Sequence, residues 1–350
     1  MSTNSPPLDW YEEDQRYLAA HQWPSALIDL LLSRGIDEHR LLNKTGLFLD
    51  SIHSGKTRIS TQQLLQLTAN SQHLFRGNDL AFLWGNRLWP GNNGLFSTLL
   101  MNASDLGDAI DQLQIYRSML SPLLVARRYD YQQHLVIHWL DVAGCGEQRD
   151  FLAIVMMTAL ASFSRWMSGN NLPWQFYLQQ KKPAGAEQFD VHWNGAVHFD
   201  CQMNMMTLPL HYVQQPWPNS STTGRIMAQR ECEQFMADKP RSTLLDALYC
   251  WLLNEIRQPI SLERTAAAFA MSPATLKRKL QKHGTSFQQL CDEVRKHVAL
   301  YLFAVKGFNN DEVAAYLGYH DATNLRRSFR RWTGLTPSGL RELAASVTLV

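Results

Sequence analysis

The sequence predicts a mixed α+β N-terminal domain followed by an all-α domain of two tandem helix-turn-helix units. Three observations predict it. Up to about residue 215, helical-period apolar runs alternate with short β-branched and aromatic runs. Beyond Pro240 only short, sharply punctuated helical segments occur. Within that second region one pattern of helix, tight turn and basic helix recurs at an offset of 49 residues, Leu276 matching Leu325 and Leu280 matching Phe329.

Taken in order, WPSALIDLLLSRG and STQQLLQLTANSQHLF read as helices, the second capped by Ser60. NASDLGDAIDQLQIYRSML spaces Leu106, Ile110, Leu113 and Met119 near helical period. LLVARRYDYQQHLVIHWLD carries β-rich runs on either side of Gln132-Gln133, which predicts two strands. FLAIVMMTALASFSRWMSG is apolar nearly all round and ends at Gly169, so it predicts a buried helix or one at a subunit interface. QFYLQQ and AVHFDCQMNMMTLPL supply further strands. QQPWPNSSTTG concentrates Pro, Ser, Thr, Asn and Gly and marks a domain boundary, followed by a connector helix over 225–237. The expected division is therefore 1–215, a linker and connector over 216–240, and 241–350. In the last part Ser261, Ser272-Pro273, Ser286 with Gln289 as a capping box, and Thr336-Pro337 each precede a helix.

Charge divides along the same line. The net +2 conceals 14 Lys and Arg against 8 Asp and Glu in residues 251–350, and 19 against 23 before them. A tail near +6 on a body near −4 suits a polyanion-binding module joined to something else. Five cysteines, odd in number and never spaced C-x-x-C, indicate neither a disulfide framework nor a metal site. The first residues lack a signal pattern and no uncharged apolar run reaches about 18 residues, so a cytoplasmic protein with no membrane partner is expected. His53-Ser-Gly-Lys-Thr57 resembles the end of a phosphate-binding loop, but Asp50 stands where that loop needs glycine. No catalytic motif is present to anchor an enzyme reading, and no cofactor is expected.

The repeat carries the function. A helix that reads DNA needs an inward stripe to fix it, small or polar residues near its N-terminus for base edges, and cations for phosphates. In the first copy Ala274, Thr275, Lys277, Arg278 and Gln281 lie off the Leu276/Leu280 stripe. In the second Thr323, Asn324, Arg326, Arg327 and Arg330 lie off the stripe of Leu325, Phe329 and Trp332. These are the candidate DNA-binding residues: Arg can grip guanine bidentately, Asn can read adenine, and Thr offers a hydroxyl or a methyl. The helix between the copies is about four turns long, enough to hold two such helices about 34 Å apart, so one chain could enter two successive major-groove segments.

LGYHDATNLRRSFRRWTGLTPSGLR, with its Gly-Tyr turn, Arg-Trp-Thr-Gly and Thr-Pro-Ser, resembles the C-terminal DNA-binding domain of the AraC/XylS family of bacterial transcription regulators. Ala270 departs from the pattern by standing where the second copy has Gly318, so the first turn is expected to strain its backbone or change its geometry. NDLAFLWGNRLWPGNNGLFSTLLMNASDLGDAIDQLQIYRSMLSP resembles the sensor domain of the long AraC-type subgroup that includes ornithine-utilisation and virulence regulators. The resemblance implies an activator that binds double-stranded promoter DNA and contacts RNA polymerase, with an N-terminal domain that takes a small-molecule effector or forms a homodimer. An effector-independent architectural DNA-binding protein is the alternative. Trp84, Arg87, Trp89, Arg127 and Arg128 are the candidate ligand groups, since arginine binds carboxylates and aromatics line apolar pockets. The helix over 151–167 is the candidate dimer surface, with Leu160 as the residue to probe.

Overall fold

The computed structural model describes residues 9–131 and 133–337, with the side chain of Ala304 left aside. They form two compact units, one ending at Thr243 and the other starting at Leu244.

The first unit opens with β1 (Leu18–Ala19) and α1 (Trp23–Leu32), followed by α2 (Glu38–Leu41), α3 (Leu49–His53), β2 (Arg58–Ile59) and α4 (Thr61–Leu74). Then come α5 (Leu80–Leu88), α6 (Leu95–Met101), α7 (Leu106–Ile115), α8 (Arg117–Leu120), β3 (Leu124–Tyr131) and β4 (His134–Asp141). The rest of the unit comprises α9 (Arg149–Ser168), β5 (Gln175–Tyr177), α10 (Glu187–Trp193), β6 (Val197–His198), β7 (Met205–Pro209) and α11 (Thr222–Phe235). β1 and β2 pair by themselves, whereas the main sheet has the order β3-β4-β7-β5-β6, antiparallel except for β5 beside β6. The predicted hairpin forms with Tyr131 opposite His134, and Gln133 takes φ +65° at its turn. Leu135, Ile137 and Trp139 alternate along β4, and Met206 and Leu208 along β7, all buried.

The long apolar helix α9 is the beam of this unit. Twelve of its residues are buried, Leu160 completely. With its preceding turn it is long and apolar enough to cross a bilayer, yet 67% of that stretch is buried within the protein. Its faces are spent on β3, β4 and α5, so the expectation that it forms a dimer surface is corrected: Leu160 points into its own core. The α5 contact depends on Gly85, where an added Cβ would sit 2.5 Å from the Val155 carbonyl oxygen and 2.7 Å from Thr158 Cβ. Trp84 stacks on Phe151, one turn before Val155.

The segment expected as a linker belongs to this unit instead. Trp217 is buried edge-on against Phe163, its backbone N–H donating to the Ser104 carbonyl (2.8 Å). α11 is capped by Ser221 and buries Ala228 and Cys232, and Arg225 forms a two-armed ion pair with Asp108 on α7. Composition marked 214–224 as a boundary, whereas Trp217 is buried and residues 222–224 already belong to α11. What it concealed was that one tryptophan and one arginine pin the following helix down.

The second unit is all helical: α12 (Leu244–Asn254), α13 (Leu262–Ala268), α14 (Pro273–Lys282), α15 (Phe287–Ala304), α16 (Asn310–Tyr316) and α17 (Ala322–Thr333). The helix expected after Thr336-Pro337 lies outside the described residues. Ser261, Ser272, Ser286, Asn309 and Asp321 all cap helices as side-chain acceptors. Ser286 accepts from the Gln289 N–H (3.2 Å) without the reciprocal side-chain bond, and a full capping box forms at Asn309 and Glu312. α15 is tied to α12 by a polar chain: the Tyr249 hydroxyl meets His297 Nδ1 (2.8 Å), His297 Nε2 lies 3.0 Å from Glu293, and Lys296 Nζ lies 2.8 Å from its other oxygen.

Two predictions follow from this packing. Gly85→Ala should destabilise the first unit by about 1 to 3 kcal/mol, because a backbone carbonyl cannot yield as a side-chain tip can; urea denaturation measures it. Burial alone would raise the Glu293 carboxyl, but His297 and Lys296 beside it hold it well below the usual range. Its folded pKa is thus below the unfolded one, so the stabilisation is present at neutral pH and lost as pH falls through the folded value. With the side chain 30% exposed, Glu293→Gln should cost about 1 to 3 kcal/mol at pH 7 and progressively less as pH falls from the unfolded carboxyl value toward the folded one.

Candidate nucleic-acid interface and surface clefts

The two basic helices are anchored alike. On α14, Leu276 and Leu280 are fully buried, and on α17 Leu325 and Phe329 are, the last edge-on to Phe303 of α15 at 5.3 Å. A stripe that narrow leaves the rest of each helix facing water. Ala274, Lys277, Arg278 and Gln281 are exposed on α14; Thr275 is half-buried, its hydroxyl 2.9 Å from that of the cap Ser272. Thr323, Asn324, Arg326, Arg327 and Arg330 are all exposed on α17. All ten candidates therefore lie on their two helices off the stripes.

Their partners differ. Asn324 Nδ2 donates to the cap Asp321 (3.2 Å), whose carboxylate also accepts the Asn324 N–H (2.7 Å). Arg326 folds back along its own helix, Nε donating to the Ala322 carbonyl (3.3 Å). Arg331, which the sequence reading passed over, pairs with Asp292 of α15 (3.1 Å) and so helps seat the helix. Lys277, Arg278, Arg327 and Arg330 have no side-chain partner among the described residues. Four unneutralised cations on two helices of one unit form a surface on which an extended polyanion gains most.

The turns that precede the two helices show the cost foreseen at Ala270. It takes φ +52°, the left-handed conformation that Gly318 adopts at +70° in the second copy. The first copy keeps the geometry and accepts the strain.

The candidate ligand groups do not converge. Trp84 is fully buried, edge-on to Trp23 and stacked on Phe151, a core residue. Arg127 is half-buried on β3. Arg128 lines an open cleft with Asp105, Asp108, Asp111 and Arg225, where it pairs with Asp130 (3.2 Å) and Asp111 (3.8 Å). Arg87 and Trp89 line a different cleft of about 410 Å³, shared with Asn86, Pro90, Gly91, Ser162, Arg165 and Trp166. Arg165 and Trp166 escaped the sequence reading because they close a helix apolar almost throughout. An Arg-Trp pair just before the Gly169 cap was the available signal.

Residues 35–217 match the model of the arabinose-binding domain of AraC transcription regulators, and residues 265–343 match a helix-turn-helix domain. The chain belongs to the AraC family. It is a DNA-binding transcription regulator with an arabinose-binding-type N-terminal domain, and neither matched domain is an enzyme. The ornithine utilization regulator of Pseudomonas aeruginosa is 26% identical over 322 residues, 91% of this chain and 95% of that one. The regulator GadX of Escherichia coli K12 is 38% identical over 92 residues, 26% of this chain and 34% of its own. Among solved structures, the DNA-binding domain of AdpA in complex with a target DNA is 27% identical, covering 29% of this chain and 93% of that one, with a TM-score of 0.27.

Relieving the strain at Ala270 is testable. Ala270→Gly should raise the stability of the AraC-type DNA-binding unit by about 0.5 to 1 kcal/mol, and Gly318→Ala should lower it by about 1 to 2. Paired thermal melts of the two variants read the difference.

Proposed function

We propose that this AraC-family regulator activates transcription from its promoters by laying α14 and α17 into successive major-groove segments and contacting RNA polymerase. A small-molecule effector taken by the N-terminal unit sets the outcome. The observation that carries this reading is the duplicated pair of recognition helices, each anchored by two buried side chains and each presenting unpaired cations. Ala274, Lys277, Arg278 and Gln281 are the groups offered to DNA by α14, with Thr275 beside them, its hydroxyl against that of the cap Ser272. Thr323, Asn324, Arg326, Arg327 and Arg330 are those offered by α17. The bond that the Asn324 amide donates to Asp321 orients it before DNA arrives, which lowers the ordering cost of reading an adenine. Two units in one chain let a monomer cover its site, and a homodimer would then bind a repeated one. The name of the Pseudomonas relative makes ornithine one effector to try.

The operator can be recovered by selecting random duplexes on the full chain. On that operator Arg327→Ala should cost about 1 to 3 kcal/mol and relax the preference at one base pair. An equal loss on every sequence, with a shallower salt dependence, would make Arg327 a phosphate contact. Transcription with purified RNA polymerase should rise when the regulator is added to a template bearing the operator, and a fall would mark a repressor.

A further inference from the structure

The cleft holding Arg87 and Trp89 has a composition that its neighbours lack. Its walls are the C-terminal turn of α5, the Trp89-Pro90-Gly91 turn and the last turns of α9. Among the eight residues that line it are two arginines and no carboxylate. Neither guanidinium has a hydrogen-bond or ion-pair partner among the described residues. Three other arginines of the unit are matched by carboxylates: Arg225 with Asp108, Arg128 with Asp111 and Asp130, Arg149 with Asp141. The second cleft therefore neutralises itself, while this one keeps two uncompensated positive charges.

Placement at helix ends accounts for part of this, because a cation in the last turn of α5 and another in the last turn of α9 complement the carbonyl ends of those helices. It does not account for Trp166, whose indole is 59% exposed beside the arginines. An indole left in water forgoes the burial that dominates its energetics. The opposite wall is already rigid: Trp89 stacks near Trp139 and its N–H donates to the Leu120 carbonyl (3.2 Å). Asn93 Nδ2 donates to the Leu88 and Pro90 carbonyls (both 2.9 Å), holding the turn from beneath. A ligand would pay little to order it.

We propose that this cleft binds a small organic anion with a flat apolar body, the anionic head gripped by Arg87 and Arg165 and the body resting on Trp166. The volume is within the range of small-ligand sites, and guanidinium forks bind carboxylate and phosphate bidentately. A diamine or basic amino acid brings charge of the wrong sign. A sugar would find only Asn86 and Ser162 as side-chain acceptors. The inference rests on the N-terminal unit being the part that takes the effector, and it names the site and the chemical class.

Titration calorimetry on the full chain tests it, with indole-3-acetate and phenyl phosphate as anionic probes and indole-3-acetamide and L-ornithine as controls. Saturable one-to-one binding of one anion is expected, with the amide and ornithine weaker by at least about tenfold, the scale of one charged hydrogen bond. The stronger of the two anions identifies the head as carboxylate or phosphate. Arg87→Gln with Arg165→Gln should weaken that binding by at least about tenfold while a cooperative thermal melt shows the chain still folded, and Trp166→Ala should weaken it independently. Silence toward both anions at millimolar concentration, equal binding of acid and amide, or an unchanged affinity in the folded double variant would overturn the site. Operator affinity measured with and without the probe separates the two levels. Anion binding that leaves operator affinity unchanged supports the site and removes the effector reading. Operator affinity altered by ornithine, with both anions silent, keeps the effector reading and removes the site.

Discussion

Two buried side chains on each recognition helix decide how the rest of the DNA-binding unit is built. Leu276 with Leu280, and Leu325 with Phe329, consume one narrow face of α14 and α17 and leave Lys277, Arg278, Arg326, Arg327 and Arg330 exposed. Like charges so concentrated destabilise a bare helix, and the unit offsets this locally. Asp321 and Ser272 cap the helix starts, Arg331 is tied to Asp292, and Gly334 closes α17 in the left-handed conformation. The cations without partners among the described residues, Lys277, Arg278, Arg327 and Arg330, are then the ones with most to gain from phosphate or a base edge.

α15 turns two helix pairs into one device. Its 18 residues span about 27 Å at the usual helical rise. It is held by Phe303 against Phe329 at its end and by the Tyr249, His297 and Glu293 chain in its middle. α15 is thus fixed against α12 and α17, and the proposed function makes it the spacer between α14 and α17 on DNA. The N-terminal unit uses the same economy through α9, which gives up its surface to the sheet and to α5 and keeps only its last turn for the cleft.

Much of this was legible in the sequence, for definite reasons. The hairpin around Gln132-Gln133 was readable because both strands are β-rich over eight residues and the turn is short. The recognition helices were readable because duplication repeats the stripe, the caps and the basic face together, and even the strain at Ala270 could be foreseen from its counterpart Gly318. Three features were not legible. The apolar excess of α9 is the same for a core beam and a dimer surface, since periodicity reports burial but not what does the burying. Trp217 and Arg225 fasten a loop of linker-like composition through partners more than fifty residues away. The ligand candidates were chosen by residue type, and the fold sent Trp84 to the core, Arg128 to a self-neutralised cleft and only Arg87 and Trp89 to a shared one.

The rigidity of the spacer is open to direct measurement on the selected operator. Inserting 5 or 10 base pairs between the two contacted segments, and measuring the affinity of the full chain for each duplex, separates one fixed ruler from two independent readers. An α15 that sets a single spacing requires both insertions to abolish specific binding, even though 10 base pairs restore the helical face. Affinity recovered with the 10-base-pair insertion would contradict it, because the two helices would then be reaching their sites without the constraint on which the whole arrangement depends.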